Sequence, residues 1–278
     1  MANLKYAART DPGKERDLNE DNVWAQVLEA SEGGPVGLFI VCDGLGGHLG
    51  GEVASHWAVE TLKNELTEVF IRKDPRATVR LTEAEINEAL EGSDATRLSS
   101  TSRIESQIIE ALQKANNVVR EVALQRPEQA ADAGTTVSMA IVIGNRAIIA
   151  NVGDSRTYLV RKHTLRQVTH DHSLVASLVE NGQLQPQDVF NHPQRNVIFR
   201  SLGQKRQVQV DTFWEMLEPG DYLFLCSDGL WEMIPEEKEI VSIIEGTRSL
   251  DNACQKLINA ANSAGGVDNI SVILARYS

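Results

Sequence analysis

Apolar residues follow two rhythms along this chain. Short apolar, partly β-branched runs bounded by turn residues predict strands at 4–8, 22–27 and 37–42. They recur at 135–143, 146–152, 155–161 and 164–169, joined by Gly144-Asn145 and Gly153-Asp154 turns that suit an antiparallel meander. Further strands are expected at 208–213 and 222–226, around a Pro219-Gly220-Asp221 turn, and at 269–276. Helical spacing appears in Val53, Trp57, Ala58, Leu62 and Leu66, and again in Ile104, Ile108, Leu112, Ala115 and Val119. These predict two long amphipathic helices, with Trp57 in the core. Shorter helices are expected at 173–181, 236–245 and 250–263. Because helices come in blocks and strands are joined by tight turns, the pattern is α+β, with antiparallel sheets covered by helices.

Three stretches break the rhythms. Residues 9–21 are charged and hold an Asp11-Pro12-Gly13 turn; 71–103 are polar, with one short helix expected near 83–90; and 183–195 read as a mobile loop. No low-complexity linker forces a division, so the 278 residues are expected to form a single domain, 1–278.

The net charge of −12 argues against a general nucleic-acid partner, since such surfaces need clustered Lys and Arg. No apolar run nears the roughly 20 residues that span a bilayer, and the N-terminus lacks the apolar core of a signal peptide. Cys42, Cys226 and Cys254 cannot all pair and form no Cys-x-x-Cys, so a cytoplasmic location is expected, with the cysteines as small core residues.

Chemistry concentrates where strands stop. The run 37–42 ends at Asp43-Gly44-Leu45-Gly46-Gly47-His48, and 222–226 ends at Ser227-Asp228-Gly229. Glu20-Asp21 precede the strand at 22, and Asp268 precedes the last strand. Two bare charges about 4 Å apart repel by roughly 4 kcal/mol at an effective dielectric near 20. A cluster of such acids calls for cations, and oxygen-only ligands point to Mg²⁺ or Mn²⁺. Two such ions can share a carboxylate, activate water and stabilise phosphoryl charge. Arg16 would supply a planar fork for phosphate. Rival chemistries fail on spacing. Cys-x5-Arg is absent, the sixth residues after the cysteines being His48, Glu232 and Ala260. The one Gly-Lys, Gly13-Lys14, continues with Glu15 rather than Ser or Thr, and Gly-x-Ser-x-Gly is missing.

Taken together, Arg16-x-x-Asn19-Glu20-Asp21, Val41-Cys42-Asp43-Gly44-x-Gly46-Gly47-His48, Gly134-Thr135-Thr136, Asn151-Val152-Gly153-Asp154-Ser155-Arg156, Cys226-Ser227-Asp228-Gly229-Leu230 and Asp268-Asn269-Ile270-Ser271 resemble the bacterial PP2C-type (PPM) metal-dependent serine/threonine protein phosphatases, in the family's order and over nearly the whole chain. The resemblance implies an α-β-β-α sandwich with a site for two Mn²⁺ or Mg²⁺ ions at one edge. By position, Asp43 would bridge the ions, the Gly44 carbonyl would ligate one, and Asp228 and Asp268 would complete the other. Of Glu20 and Asp21, one would bind metal and the other orient a bound water, the family pattern favouring Glu20. Arg16 would hold the substrate phosphate, and Asp132, with Asp228, would support a possible third ion. Asp154 reads as a residue that pins its turn. The segment 173–195 corresponds to the family's flap and to substrate choice, with Asp171-His172-Ser173 as a helix N-cap and His192 as the histidine of interest.

One departure stands out. Many relatives carry His after the Asp-Gly, usable as a general acid; Leu45 cannot donate a proton, and His48 reads as structural. The expected activity is hydrolysis of phosphoserine and phosphothreonine in proteins by a metal-bridging hydroxide, opposing a Ser/Thr kinase. An inactive binding module and a nucleotide phosphodiesterase are the alternatives, disfavoured by the complete acid set and by the acidic charge and lack of histidine ligands.

Overall fold

The structure is a computed structural model and describes residues 3–28, 34–46, 50–71, 93–125 and 133–278. One five-stranded antiparallel sheet runs in the order β1 (Leu4–Asp11), β12 (Ile270–Tyr277), β11 (Tyr222–Cys226), β8 (Arg156–Arg161), β9 (Thr164–Gln167). The other runs β10 (Asp211–Met216), β7 (Arg146–Val152), β6 (Val137–Ile143), β3 (Val36–Cys42), β2 (Asn22–Leu28). A two-stranded ladder pairs β4 (Gly44–Leu45) with β5 (Gly134–Thr135).

The inner strands are apolar without alternation because both faces are covered. Phe39 and Val41 of β3 turn towards Leu223, Leu225 and Ile273 of the facing sheet. Leu38, Ile40 and Cys42 turn the other way, onto Leu62 and Leu66 of α1 (Gly50–Ile71) and Ile108 and Leu112 of α2 (Ser93–Gln125). On the opposite side Phe224, Val272 and Leu274 meet Ile240 and Ile244 of α5 (Glu237–Glu245) and Leu257 of α6 (Leu250–Ser263). Three apolar layers separate four layers of backbone, giving the expected α-β-β-α sandwich. Each fully buried side chain contributes about 1.5–3 kcal/mol, so this stack fixes one sheet over the other.

Several details differ from the sequence reading. Helix α2 begins at Ser93, so the end of the polar stretch 71–103 is helical; the short helix expected at 83–90 lies outside the described residues. Trp57 is 43% exposed, its ring edge-on to His56, so helical spacing put the wrong face inside. The edge strand begins at Asp211 rather than Val208, because Val208 and Val210 spend their apolar surface on the α1/α2 side of the core. Residues 183–195 contain a 3₁₀ turn, Pro186–Asn191, after α3 (Leu174–Glu180). A four-residue helix not anticipated from the pattern, α4 (Asp228–Trp231), follows β11 directly.

Candidate metal centre

β2 and β3 pair with Asn22 opposite Cys42, so Asp21 and Asp43 leave the same end of one sheet. β11 and β12 pair with Cys226 opposite Val272, which brings Ser227, Asp228 and Asp268 to an end of the other sheet. The ends coincide: the Ser227 hydroxyl donates to Asp21 Oδ2 at 2.7 Å across the sandwich and accepts from the Ser271 N–H at 2.9 Å.

Neighbouring backbone fixes Asp43 firmly. Its N–H donates to Thr136 Oγ1 at 3.0 Å, and its carbonyl accepts from the Thr136 N–H at 2.9 Å and from Thr135 Oγ1 at 2.8 Å. Asn269 holds the charged segment 9–21 at three points. The Asn269 amide donates to the carbonyls of Pro12 and Leu18, both at 2.9 Å, and its Oδ1 accepts from the Glu20 N–H at 2.8 Å. Neither Asn269 nor the two threonines were assigned a role from sequence. Their signal was their place inside the Gly-Thr-Thr and Asp-Asn-Ile-Ser blocks, but a polar residue that serves only backbone leaves no chemical pattern of its own.

Asp21 is buried, whereas Asp43, Asp228 and Asp268 keep part of their surface. The charges of Asp21 and Asp228 act on Asp43, and the pKa values of all three are raised, first by burial and then by neighbouring carboxylates. Asp21 is pushed up to about 6. Glu20 is raised too, by burial, with Arg16 pulling the other way. Asp154 is buried and pushed up to about 7, by burial and then by Asp171, and its charge acts on both Asp43 and Asp228. It belongs electrically to the acid cluster. The turn is also held from outside: His172 Nδ1 accepts from the Gly153 N–H at 3.0 Å, and Trp231 Nε1 donates to the Asp154 carbonyl at 3.1 Å.

Arg16 reaches across to Asp268, with Nη2 2.7 Å from Oδ2. Burial works against its charge, yet Asp268 more than offsets this and its pKa is raised. Ser173 caps α3 as expected, accepting from the Ala176 N–H, but Asp171 and His172 do more than cap. Asp171 takes the Arg156 guanidinium through both oxygens, and His172 Nε2 lies 3.1 Å from Asp211. His192 is engaged in its own turn, Nδ1 accepting from the Gln194 N–H at 3.2 Å. Asp132 and His48 lie outside the described residues.

Among the described residues no three acidic, His or Cys side chains are gathered into one closed ligand shell. The acids are nonetheless suited to hard cations. Glu20 Oε1 and Asp21 Oδ1 are buried without a hydrogen-bond partner, a costly state for a carboxylate unless a cation completes it. The backbone beside them leaves no room for side chains: a Cβ on Gly44 would come within 2.3 Å of the Gly51 carbonyl and 2.5 Å of that of Glu20. Gly44→Ala is therefore expected to cost about 1–3 kcal/mol by overpacking and to displace Glu20, seen as a lower melting temperature and weaker Mn²⁺ binding by calorimetry. Unchanged Mn²⁺ affinity would show that Glu20 stands apart from the ion site.

A family model described as protein phosphatase 2C matches residues 15–261. The serine/threonine phosphatase stp of Listeria monocytogenes is 38% identical over 268 residues, 96% of this chain and 93% of that protein. The protein phosphatase PhpP of Streptococcus pneumoniae is 34% identical over 271 residues, 98% of this chain and 96% of that one. Among solved structures, the S. agalactiae serine/threonine phosphatase superposes with a TM-score of 0.78 at 32% identity, covering 99% of both chains. The catalytic domain of the phosphatase PstP, in complex with two manganese ions, superposes with a TM-score of 0.73 at 27% identity, covering 100% of this chain and 99% of that one.

Proposed function

The chain belongs to the protein phosphatase 2C family, and on that premise we propose that its strand-end acids form a dimetal site that hydrolyses phosphoserine and phosphothreonine in proteins. Asp43 and Asp228, which leave opposite sheets and lie close enough for the charge of Asp228 to raise the Asp43 pKa, carry this reading. Asp43 would be shared between two Mn²⁺ or Mg²⁺ ions, with Glu20, the Gly44 carbonyl and Asp21 on one side and Asp228 and Asp268 on the other. A third, weaker ion through Asp132 and Asp228 belongs to the same proposal. When bound, the ions supply a hydroxide nucleophile near neutral pH and offset charge building on the phosphoryl oxygens.

The chain's own groups do the rest. Arg16, half exposed and tethered to Asp268, has donors left over for phosphate and would orient the ester against the acid cluster. Thr135, Thr136 and Asn269 hold the Asp43 and Glu20 backbones so that the carboxylates are aimed before substrate arrives. Leu45 brings no proton, so protonation of the leaving serine or threonine oxygen falls to water. A cognate Ser/Thr kinase would make the substrates. The compartment we propose is the cytoplasm, in keeping with three buried free thiols; no described helix is long and apolar enough to cross a membrane.

Hydrolysis of a phosphothreonine peptide with chelator, Mg²⁺ or Mn²⁺ tests the reading. Turnover should require added metal; metal-independent turnover, or none in folded protein, would overturn it. Arg16→Lys should raise KM about tenfold, since an ammonium cannot make the planar two-point contact, with kcat less affected. An unchanged KM would remove Arg16 from the phosphate.

A further inference from the structure

A cavity of about 960 Å³ lies beneath the flap, outside the acid cluster. Val175 and Val179 of α3 and Phe190 of the 3₁₀ turn form one wall, and Trp231, Ile234 and Ile240 form the other. Phe190 meets the Trp231 ring in an edge contact, centroids 6.2 Å apart. The volume is at the upper end of ordinary ligand pockets, and it opens to solvent along the side where Glu180, Glu236 and Glu237 stand exposed.

Its electrostatics are one-sided. Glu180, Glu236, Glu237 and Asp171 line it against one guanidinium, Arg156, with His170 the other basic side chain. Arg156 is already committed: Asp171 takes it at 2.6 and 3.0 Å, and its guanidinium carbon lies 3.4 Å over the Trp231 ring. Among the described residues, Glu180, Glu236 and Glu237 at the mouth hold no ion-pair partner of this kind. An occupant that leaves these walls better satisfied is apolar in its body and cationic at its edge.

The groove neighbours the acid cluster through α4, whose last residue, Trp231, lines it. Trp231 closes α4, which begins at Asp228, and three residues of helix rise about 4.5 Å. Glu232, next along, holds Arg195 of the flap at 3.2 Å, and its charge acts on Asp228, so the flap is tied in beside both Trp231 and the cluster. Extended chain advances about 3.3 Å per residue, so two to four residues beside a phosphoester at Asp43 and Asp228 would reach roughly 7–13 Å from it, the span in which the groove would be met.

We propose that this groove holds the stretch of the phosphoprotein beside the phosphorylated residue and selects a basic side chain next to an apolar one. The basic group sits at the Glu180, Glu236 and Glu237 mouth, and the apolar group packs between Val179 and Ile234. This assignment rests on the phosphatase reading above and adds the class of sequence that the enzyme prefers.

The test uses phosphothreonine peptides that carry Arg-Leu or Glu-Leu two to four residues before or after the phosphothreonine, with para-nitrophenyl phosphate as a substrate lacking any flanking chain. The native enzyme should favour the Arg-Leu peptides on one side by about fivefold to tenfold in kcat/KM, mostly through KM. In Glu180→Lys/Glu237→Lys that ratio should fall to about one or invert. Because the ratio is taken within one enzyme, a partly damaged variant still reports it. Equal rates on both peptides in the native enzyme, or a ratio untouched by charge reversal, would overturn the groove while aryl ester hydrolysis leaves the phosphatase reading standing. No metal-dependent hydrolysis of the aryl ester would overturn both. A change in sedimentation of the variant without a change in selectivity would give the groove to a second copy of the chain and overturn the proposal.

Discussion

Asp43→Asn is expected to lower phosphopeptide turnover by about 10³-fold or more, while the chelated variant melts higher than the chelated parent. Both effects have one cause. Asp43 is half-buried against Asp21 and Asp228, with the charge of Asp154 close by, and its pKa is raised by desolvation first and by these acids after it. Such a site stores repulsion that two cations would relieve, and on the dimetal proposal that repulsion is what would draw them in. An amide keeps the shape and removes a charge. Repulsion falls, so the metal-free fold gains; the shared oxygen ligand is weakened, so metal affinity and transition-state stabilisation fall, at a cost of the order seen when one preorganised electrostatic group is lost. Calorimetry with Mn²⁺, melting in chelator and steady-state rates would be read together. A variant that loses activity yet binds Mn²⁺ as the parent does would remove Asp43 from the bridging position.

In chelator, the protein should be more stable at mildly acidic pH than above neutrality, by about 5–10 °C in melting temperature between pH 5 and pH 8. Asp21 is pushed up to about 6 and Asp154 to about 7, from a usual value of 3.8. For an acid raised in this way the fold binds the proton more tightly than the unfolded chain does. Its contribution is complete below pH 4 and is lost as pH rises through 6 and 7. A shift of two units is worth about 3 kcal/mol, which for a chain of this size is several degrees. Saturating Mn²⁺ should shrink the difference, since bound cations favour the ionised carboxylates. A melting temperature in chelator that rises steadily from pH 5 to pH 8 would mean these acids are not under strain.

Much of this was legible from residues alone. The strands at 37–42 and 222–226 are apolar on both faces, so their runs were visible, and the acids at their ends stood out because charge rarely follows such a run. What sequence could not carry was the direction in which a side chain faces. Trp57 has helical spacing and still turns outward, because α1 covers the sheet with Leu62 and Leu66 on its opposite face. Asp154 sits in an ordinary Gly-Asp turn, and its electrical link to Asp43 and Asp228 exists only once β7 and β8 bring that turn beside α4. The duties of Asn269 and Thr136 were hidden for another reason: they bind backbone, which every residue has.

The acid cluster is divided between the two sheets, Asp21 and Asp43 on one and Asp228 and Asp268 on the other, and Ser227 to Asp21 is a direct bond across the seam. The centre therefore acts as a vernier for the sandwich. A slip of one sheet over the other by an ångström changes every cross-seam separation together, while hydrogen bonding within each sheet stays intact. Substitutions in the layer around Phe39, Leu225 and Ile273, remote from any acid, would then register first as weaker ion binding and only later as lost fold, so metal affinity is the finest available gauge of how the halves are aligned.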